Sequence, residues 1–364
     1  MPSSTSSSER LTASDRPGVA QPVPQRDVPA QPWGVIAACA LVLFALLLAG
    51  WEWHWRAFGV APSTSNSDGL WSNQRRRIDS GEGGRTVLIG SSRVLFGVDL
   101  DSWQRLSGEP LIQLALQGTT PLYTLEDLAD DPQFTGHLLV GIAPSVFFTG
   151  RALRKNMVDY YRKEGPSQRV GQWLAAHLIE PWLAFCDPDF ALSTVLERQT
   201  WWPARAGLPS RIQVRKLSVT APDRNTHLWS KVEQDPEYRA MARKIWAQDF
   251  APPASQLATF AKTSEEHITR AAAAVAKLRA RKVDVTFIRM PSTGEYLASE
   301  DRVFPRAKTW DVLLARTHAR GIHFQDYPEL QGYELPEWSH LATKERQRFT
   351  EALYRVLTRE RRPE

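Results

Sequence analysis

What most constrains the fold of this chain is a repeated alternation of short apolar runs with helix-compatible stretches. Residues 86–89, 111–116 and 137–143 have the length and residue types of strands. Between them lie a segment from Ser92 to about Gly108 and the segment 121–131, whose Pro121 suits a first helical turn. The pattern resumes late in the chain. Thr263 and Glu266 have capping-box spacing ahead of an Ala-rich helix that reaches Lys282, and residues 283–289 read as a strand. A helix from about Arg306 to Arg320 is followed by Gly321 as its cap, then by a short strand at 322–325 and an amphipathic helix over 342–359. Apolar strands joined by helices need cover on both faces. The expected fold is therefore α/β: a doubly wound, mostly parallel five-stranded sheet, interrupted once.

Ahead of that domain, residues 32–51 (PWGVIAACALVLFALLLAGW) carry no charge. As a helix the run spans a hydrocarbon core of roughly 30 Å, and Trp33, Trp51, Trp53 and Trp55 suit the two interfaces. We read residues 32–54 as a transmembrane helix. A cleaved signal peptide fits less well, because such peptides begin near the start of the chain and end on small residues. Arg16 and Arg26 precede the span closely and Arg56 follows it, a bias that leaves the N-terminus in the cytoplasm and the globular part outside. Residues 1–31, rich in Ser, Pro and Gln, read as a disordered tail. Residues 55–84, polar and containing Arg75, Arg76 and Arg77 in a row, read as a stalk.

The sheet domain then divides into 85–146 and 251–364 around an insertion, 147–250. That insertion holds six of the fourteen tryptophans: Trp173, Trp182, Trp201, Trp202, Trp229 and Trp246. They either offer flat indoles on which sugar rings stack or make a small core of the insertion's own. The chain's net charge is +5, but its basic residues are scattered rather than clustered, which argues against a nucleic-acid groove. Cys39 lies in the apolar run and Cys186 is the single cysteine after it, so no disulfide is expected in the globular part. Neither a metal-ligand cluster nor a nucleotide-binding glycine motif is present in the sequence, so no metal and no cofactor are expected.

The first strand runs into a turn in TVLIGSSRVLFG, residues 86–97. Ligands of parallel sheets gather beyond the carboxyl ends of the strands, where Gly90-Ser91-Ser92 falls. Backbone N–H groups at the start of the next helix favour a nucleophilic oxygen there, although serine is also a common helix cap. A nucleophilic serine needs a base. Of the eight histidines, His340 has the suitable context: PEWSHL, residues 336–341, places it in the loop after the last strand with Glu337 three residues earlier. Ser92, His340 and Glu337 are the candidate triad. Trp338, between acid and base, is a candidate wall against a substrate sugar, or else a packing residue of the loop.

These motifs resemble the SGNH (GDSL-like) hydrolase superfamily, especially its membrane-anchored members in polysaccharide O-acetylation. The resemblance rests on the strand-Gly-x-Ser turn at 90–92, the glycine turn LQGTTP with Gly118, and the acid-x-x-His-Leu at 337–341. It implies Ser92 as nucleophile, the Ser92 and Gly118 N–H groups as oxyanion donors, and His340 as base. Two positions depart from the family: Glu337 stands where Asp is usual, and Gly141-Ile142-Ala143-Pro144 replaces the Gly-x-Asn-Asp whose Asn donates to the oxyanion. One lost donor of this kind costs about 3–4 kcal/mol of transition-state stabilisation; Ser145 is the nearby substitute. The resemblance implies an extracytoplasmic O-acyltransferase or acetylesterase on a polysaccharide, anchored in a bacterial inner membrane. A transferase would need a membrane-bound O-acyltransferase partner as donor. The alternative is an inactive scaffold of the same fold that binds glycan or that partner.

Overall fold

The computed structural model describes residues 31–198 and 216–359. The expected tail up to residue 30, and Trp201 and Trp202, lie outside the described residues. The chain forms two units, 1–50 and 51–364. The first contributes most of a helix, Trp33–Phe58, with mean hydropathy 2.5 over its most apolar window and none of that window buried. Length and composition suit a single membrane anchor or a signal sequence. The last turns of this helix, from Trp51 on, belong to the second unit.

Seven strands occur among the described residues of that unit: β1 Val87–Ile89, β2 Ile112–Gln113, β3 His137–Ile142, β4 Ser218–Thr220, β5 Thr226–Leu228, β6 Asp284–Arg289 and β7 Arg320–His323. Five form one sheet in the order β2-β1-β3-β6-β7, every pair parallel. β4 and β5 make a separate antiparallel hairpin. The expected α/β fold is present, with the sheet parallel throughout. Alternation along the strands sends Leu88, Leu139 and Ile288 into a core with the closing helix Arg346–Arg359, while Val87, Ile89, Val140 and Phe287 pack on the other face with the helices Leu122–Asp130 and Ala254–Ala280. In this strand order the chain changes direction across the sheet between β1 and β3, and the carboxyl ends of strands at such a point are where parallel sheets take their ligands. The Ser92 turn leaves β1 at that place.

Several boundaries differ from the sequence reading. The long helix starts at Ala254, behind Pro253, so Thr263 and Glu266 lie inside it and cap nothing; six of the nine residues 254–262 are strong helix formers, and Pro is tolerated ahead of a first turn. Gly321 is not a helix cap. The helix Trp310–Thr317 ends on His318 in the left-handed conformation (φ 50), and Gly321 sits inside β7, where a Cβ would lie 2.4 Å from Leu314 Cδ1. Its missing side chain lets that helix close onto the strand. The last helix begins at Arg346, after a 3-10 turn at Thr343–Glu345.

The stalk reading of 55–84 is corrected. The helix Asp68–Arg77, capped by Ser67 Oγ accepting from Leu70 N–H (3.1 Å), buries Leu70 and Trp71, and Ile78 follows them into the core. Trp71 Nε1 donates to Leu114 O at 2.9 Å. Arg75 is buried too, paired with Asp127 at 2.8 Å and Asp131 at 2.6 Å. Those acids lie 52 and 56 residues away, so the arginine run looks like surface until the chain is folded.

The insertion likewise shares the domain's core. Phe190, Leu228, Trp229, Val232 and Tyr238 belong to the same buried cluster as Leu88 and Val94. Of its described tryptophans, Trp229 is buried, Trp246 half-buried, and Trp173 and Trp182 exposed. Replacing a fully buried aromatic by alanine costs about 3–5 kcal/mol. Trp71→Ala should lower the thermal midpoint of the full-length protein in detergent steeply. An unchanged midpoint would return residues 55–84 to a stalk.

Candidate active site

Gly90 ends β1 at φ 152, and a Cβ there would lie 2.9 Å from the Gly141 carbonyl oxygen and 2.4 Å from Val94 Cγ2. Only a bare Cα lets the turn pass this close to β3. Ser91 takes the N-cap position of the short helix Ser92–Gly97 without a side-chain cap bond, and it is buried. Ser92 is the first helical residue and is half-buried.

Across from it stands the loop after β7. His340 Nε2 is 2.8 Å from Ser92 Oγ, and His340 Nδ1 is 2.7 Å from Glu337 Oε1. The same carboxylate oxygen accepts the His340 backbone N–H at 2.7 Å, so the three-residue spacing folds the acid back onto its histidine. A carboxylate only accepts, which assigns the Nδ1 proton to this bond and leaves the Nε2 lone pair toward the serine hydroxyl. Glu337 is 0% exposed and His340 2%, so solvent reaches the trio from the Ser92 side. Burial pushes the Glu337 carboxyl up, but His340, the Trp246 indole and the His340 N–H together outweigh it and hold the group below the usual carboxylate range.

The second oxygen, Glu337 Oε2, accepts from Trp246 Nε1 at 2.5 Å. Trp246 ends the helix Pro236–Ala247 of the insertion, and Arg243, one turn earlier, donates through Nε (3.0 Å) and Nη2 (2.6 Å) to Pro336 O. Its guanidinium also lies 4.8 Å from the Trp338 ring. The insertion thus grips the loop on both sides of Glu337. Trp338 has φ 73, a conformation that costs a bulky residue on the order of 1–3 kcal/mol and persists only where its surroundings enforce it. Thr293 N–H donates to its carbonyl at 2.9 Å, and Phe250 and Gly294 pack against its half-buried indole.

Beneath the serine runs a buried ionic network. Arg93, next to Ser92, donates through Nε to Ser339 Oγ (3.1 Å) and through Nη1 to Glu300 Oε2 (3.0 Å). Glu300 Oε2 also accepts from Arg289 Nη2 (2.8 Å) and Ser292 Oγ (3.0 Å). Burial raises the Glu300 carboxyl, and the two arginines overcome this and keep it low. Burial pulls Arg289 down to about 10. Arg93 therefore ties the serine turn to Ser339, the residue before His340.

The oxyanion candidates are placed as follows. Leu116 N–H donates to Gly90 O (2.9 Å), so the chain carrying Gly118 leaves the sheet beside the serine turn. Gly118 has φ 56 and accepts from Leu153 N–H at 3.3 Å. Ser145 pairs through Oγ with Tyr296 Oη (3.0 Å) and through N–H with Glu300 Oε1 (3.4 Å), so both its polar groups are already engaged. A cavity of about 210 Å³ lined by Thr86, Trp103, His137 and Tyr354 opens at the opposite edge, where β1 and β3 begin, away from this chemistry.

Trp246, in sequence only one of the insertion's tryptophans, and Arg243, Arg93 and Glu300 carry no sequence signal of a place in the site. Nothing in their spacing marks them, because each meets the loop or turn it supports across a long chain separation. No group of His, Cys, Asp and Glu that could hold a metal occurs among the described residues. No family model matches the chain, and no curated protein matches it.

Two outcomes follow from the buried carboxylate. Its folded pKa lies below the ordinary 4.5, so its stabilising contribution is complete above that pH and is lost as pH falls toward the folded value, because the unfolded chain takes up the proton first. Chemical unfolding at stepped pH should show wild-type stability falling below pH 4.5 more steeply than that of Glu337→Gln. Trp246→Phe keeps an aromatic ring at this position but lacks the indole N–H, and so removes a hydrogen bond to a charged group, a loss of about 1.5–3 kcal/mol. A variant as stable as wild type would mean that the indole N–H does not support the acid.

Proposed function

We propose that the protein is a membrane-anchored, extracytoplasmic serine O-acyltransferase or esterase of the SGNH type, acting on acetyl groups of a cell-surface or exported polysaccharide. The observation that carries this reading is the continuous line Ser92 Oγ–His340 Nε2 (2.8 Å) and His340 Nδ1–Glu337 Oε1 (2.7 Å), with the acid wholly buried and the serine at the open end. A buried carboxylate costs several kcal/mol unless it is fully paired, and here its pairing orients an imidazole toward a serine.

In the proposed reaction Ser92 Oγ attacks the acetyl carbonyl as His340 Nε2 accepts the hydroxyl proton. The backbone N–H groups of Ser92 and Gly118 hold the developing oxyanion. Collapse breaks the bond to the leaving oxygen, which takes the proton from His340, and leaves an acetyl ester on Ser92. An acceptor then gives its proton to His340 and attacks that ester, the bond to Ser92 Oγ breaks, and His340 returns the proton to the freed Ser92 oxygen. Water as acceptor makes the protein an esterase, and a sugar hydroxyl makes it a transferase. The apolar helix supports a bacterial inner-membrane anchor with the domain in the periplasm, and transfer from within the cell calls for a membrane-bound O-acyltransferase partner as donor. Trp338 is proposed as a wall of the sugar site.

The absence of Asn from 141–144 favours a second reading, a catalytically silent scaffold that binds glycan or the acyltransferase. Labelling of the full-length protein by a serine-directed fluorophosphonate separates the two. Wild type and Ser91→Ala should label, while Ser92→Ala and His340→Ala should lose essentially all labelling and Glu337→Gln should lose less than either. Glycan binding by a folded protein inert to the probe and to acetyl esters would leave the scaffold. Equal loss at Ser91 and Ser92 would reject the assignment of the nucleophile.

A further inference from the structure

The exposed large apolar side chains of the second unit concentrate in one stretch of the insertion. Val170, Trp173, Leu174, Leu178, Ile179 and Trp182 are between 40% and 69% exposed. They lie on the helix Pro166–Leu174, its widened continuation Ala175–Ile179, and the turn after it. The spacing 170, 173, 174, 178 makes one helical stripe. The opposite side is fixed to the domain: Ala176 is buried, and Ser67 Oγ donates to Gln172 Oε1 at 2.6 Å. The stripe is therefore held outward. Residues 166–182 contain only Arg169 and Glu180 as charged side chains, with Glu180 turned back to accept from Ser65 N–H at 2.9 Å.

What such a stripe meets follows from where it is tied. Glu52 is the first charged residue after the uncharged run, and its carboxylate accepts from Ala184 N–H (2.9 Å) and Phe185 N–H (3.1 Å). Arg56, one turn on, donates to Trp182 O at 2.9 Å. The end of the apolar stretch is thus hydrogen-bonded to the residues at which the chain emerges from its uncharged run. Where that run spans a bilayer, those residues lie at the interface, and indoles such as Trp173 and Trp182 favour that depth.

We propose that residues 166–182 form an interfacial element whose apolar stripe lies in the headgroup and upper acyl region of a phosphatidylcholine-like, weakly charged lipid surface. The domain is then held to the bilayer by two attachments. An amphipathic helix with large apolar residues on one face and few charges binds a membrane chiefly through buried apolar area, so anionic lipid is not required. This inference rests on the reading of residues 32–54 as an anchor.

The test uses the full chain in phosphatidylcholine liposomes, with Cys39 and Cys186 replaced by serine and an environment-sensitive fluorophore on a single introduced cysteine. The sites are Leu174→Cys, Leu178→Cys, Val42→Cys in the apolar run, and Arg316→Cys on the helix leading into β7, at the other edge of the sheet from β2. Lipid carrying a nitroxide high on its acyl chain should quench positions 174 and 178, lipid carrying it near the end of the chain should quench position 42, at the middle of the run, and both should leave 316 bright. Quenching at 42 without quenching at 174 and 178 overturns the interfacial element and keeps the anchor. Labels at 174 and 178 that are shifted to the blue yet untouched by the lipid quencher overturn it as well, and mean that protein, a second copy or residues 199–215, covers the stripe. No quenching at 42 overturns the anchor reading and this proposal with it.

Discussion

The buried carboxylate of Glu337 is the constraint around which the candidate site is organised. An ionised acid with no exposed surface must have its lone pairs filled. Here one oxygen takes both the backbone and ring N–H groups of His340, and the other takes the Trp246 indole. Each donor comes at a structural cost. The loop must turn back on itself within three residues, which places Trp338 in the left-handed region, and the insertion must bring a helix end to the loop.

This gives the insertion a role distinct from a grafted module. Its hairpin and helix share the core that covers one face of the sheet, and Arg243 and Trp246 grip the loop on either side of the acid. On the other side of the site, Arg93 couples the serine turn to Ser339 and to the buried Glu300–Arg289 pair. Removing one partner of such a network leaves a buried charge uncompensated, which is worse than having no network. The serine and the histidine are therefore positioned by elements that reach them from both directions across the sheet.

The same tertiary logic governs the segments whose local pattern and folded role differ. Polar composition made residues 55–84 look like a tether, yet Arg75 is polar because it answers Asp127 and Asp131. Gly321 has the residue type of a helix cap and serves as a point of close approach between Leu314 and β7. Thr263 and Glu266 have capping-box spacing, but a helix that starts at Ala254 runs through them. In each case a local signal had two physical uses, and packing selected one.

The sequence by itself determined the α/β class, the apolar N-terminal helix, the turn that carries Ser92 and the local pairing of Glu337 with His340. These depend on short-range properties: apolar runs of strand length, an uncharged run long enough to span a bilayer, a glycine between strand and helix, and an acid three residues from a base. Tertiary structure alone decided that Ser92 and His340, 248 residues apart, stand 2.8 Å from each other. It also decided that Trp246 holds the acid, and that the stripe from Val170 to Trp182 is tied to Glu52 and Arg56. Contacts between distant segments are set by the order in which the strands pair and by which helix faces find a buried surface. No local pattern of residues encodes that order.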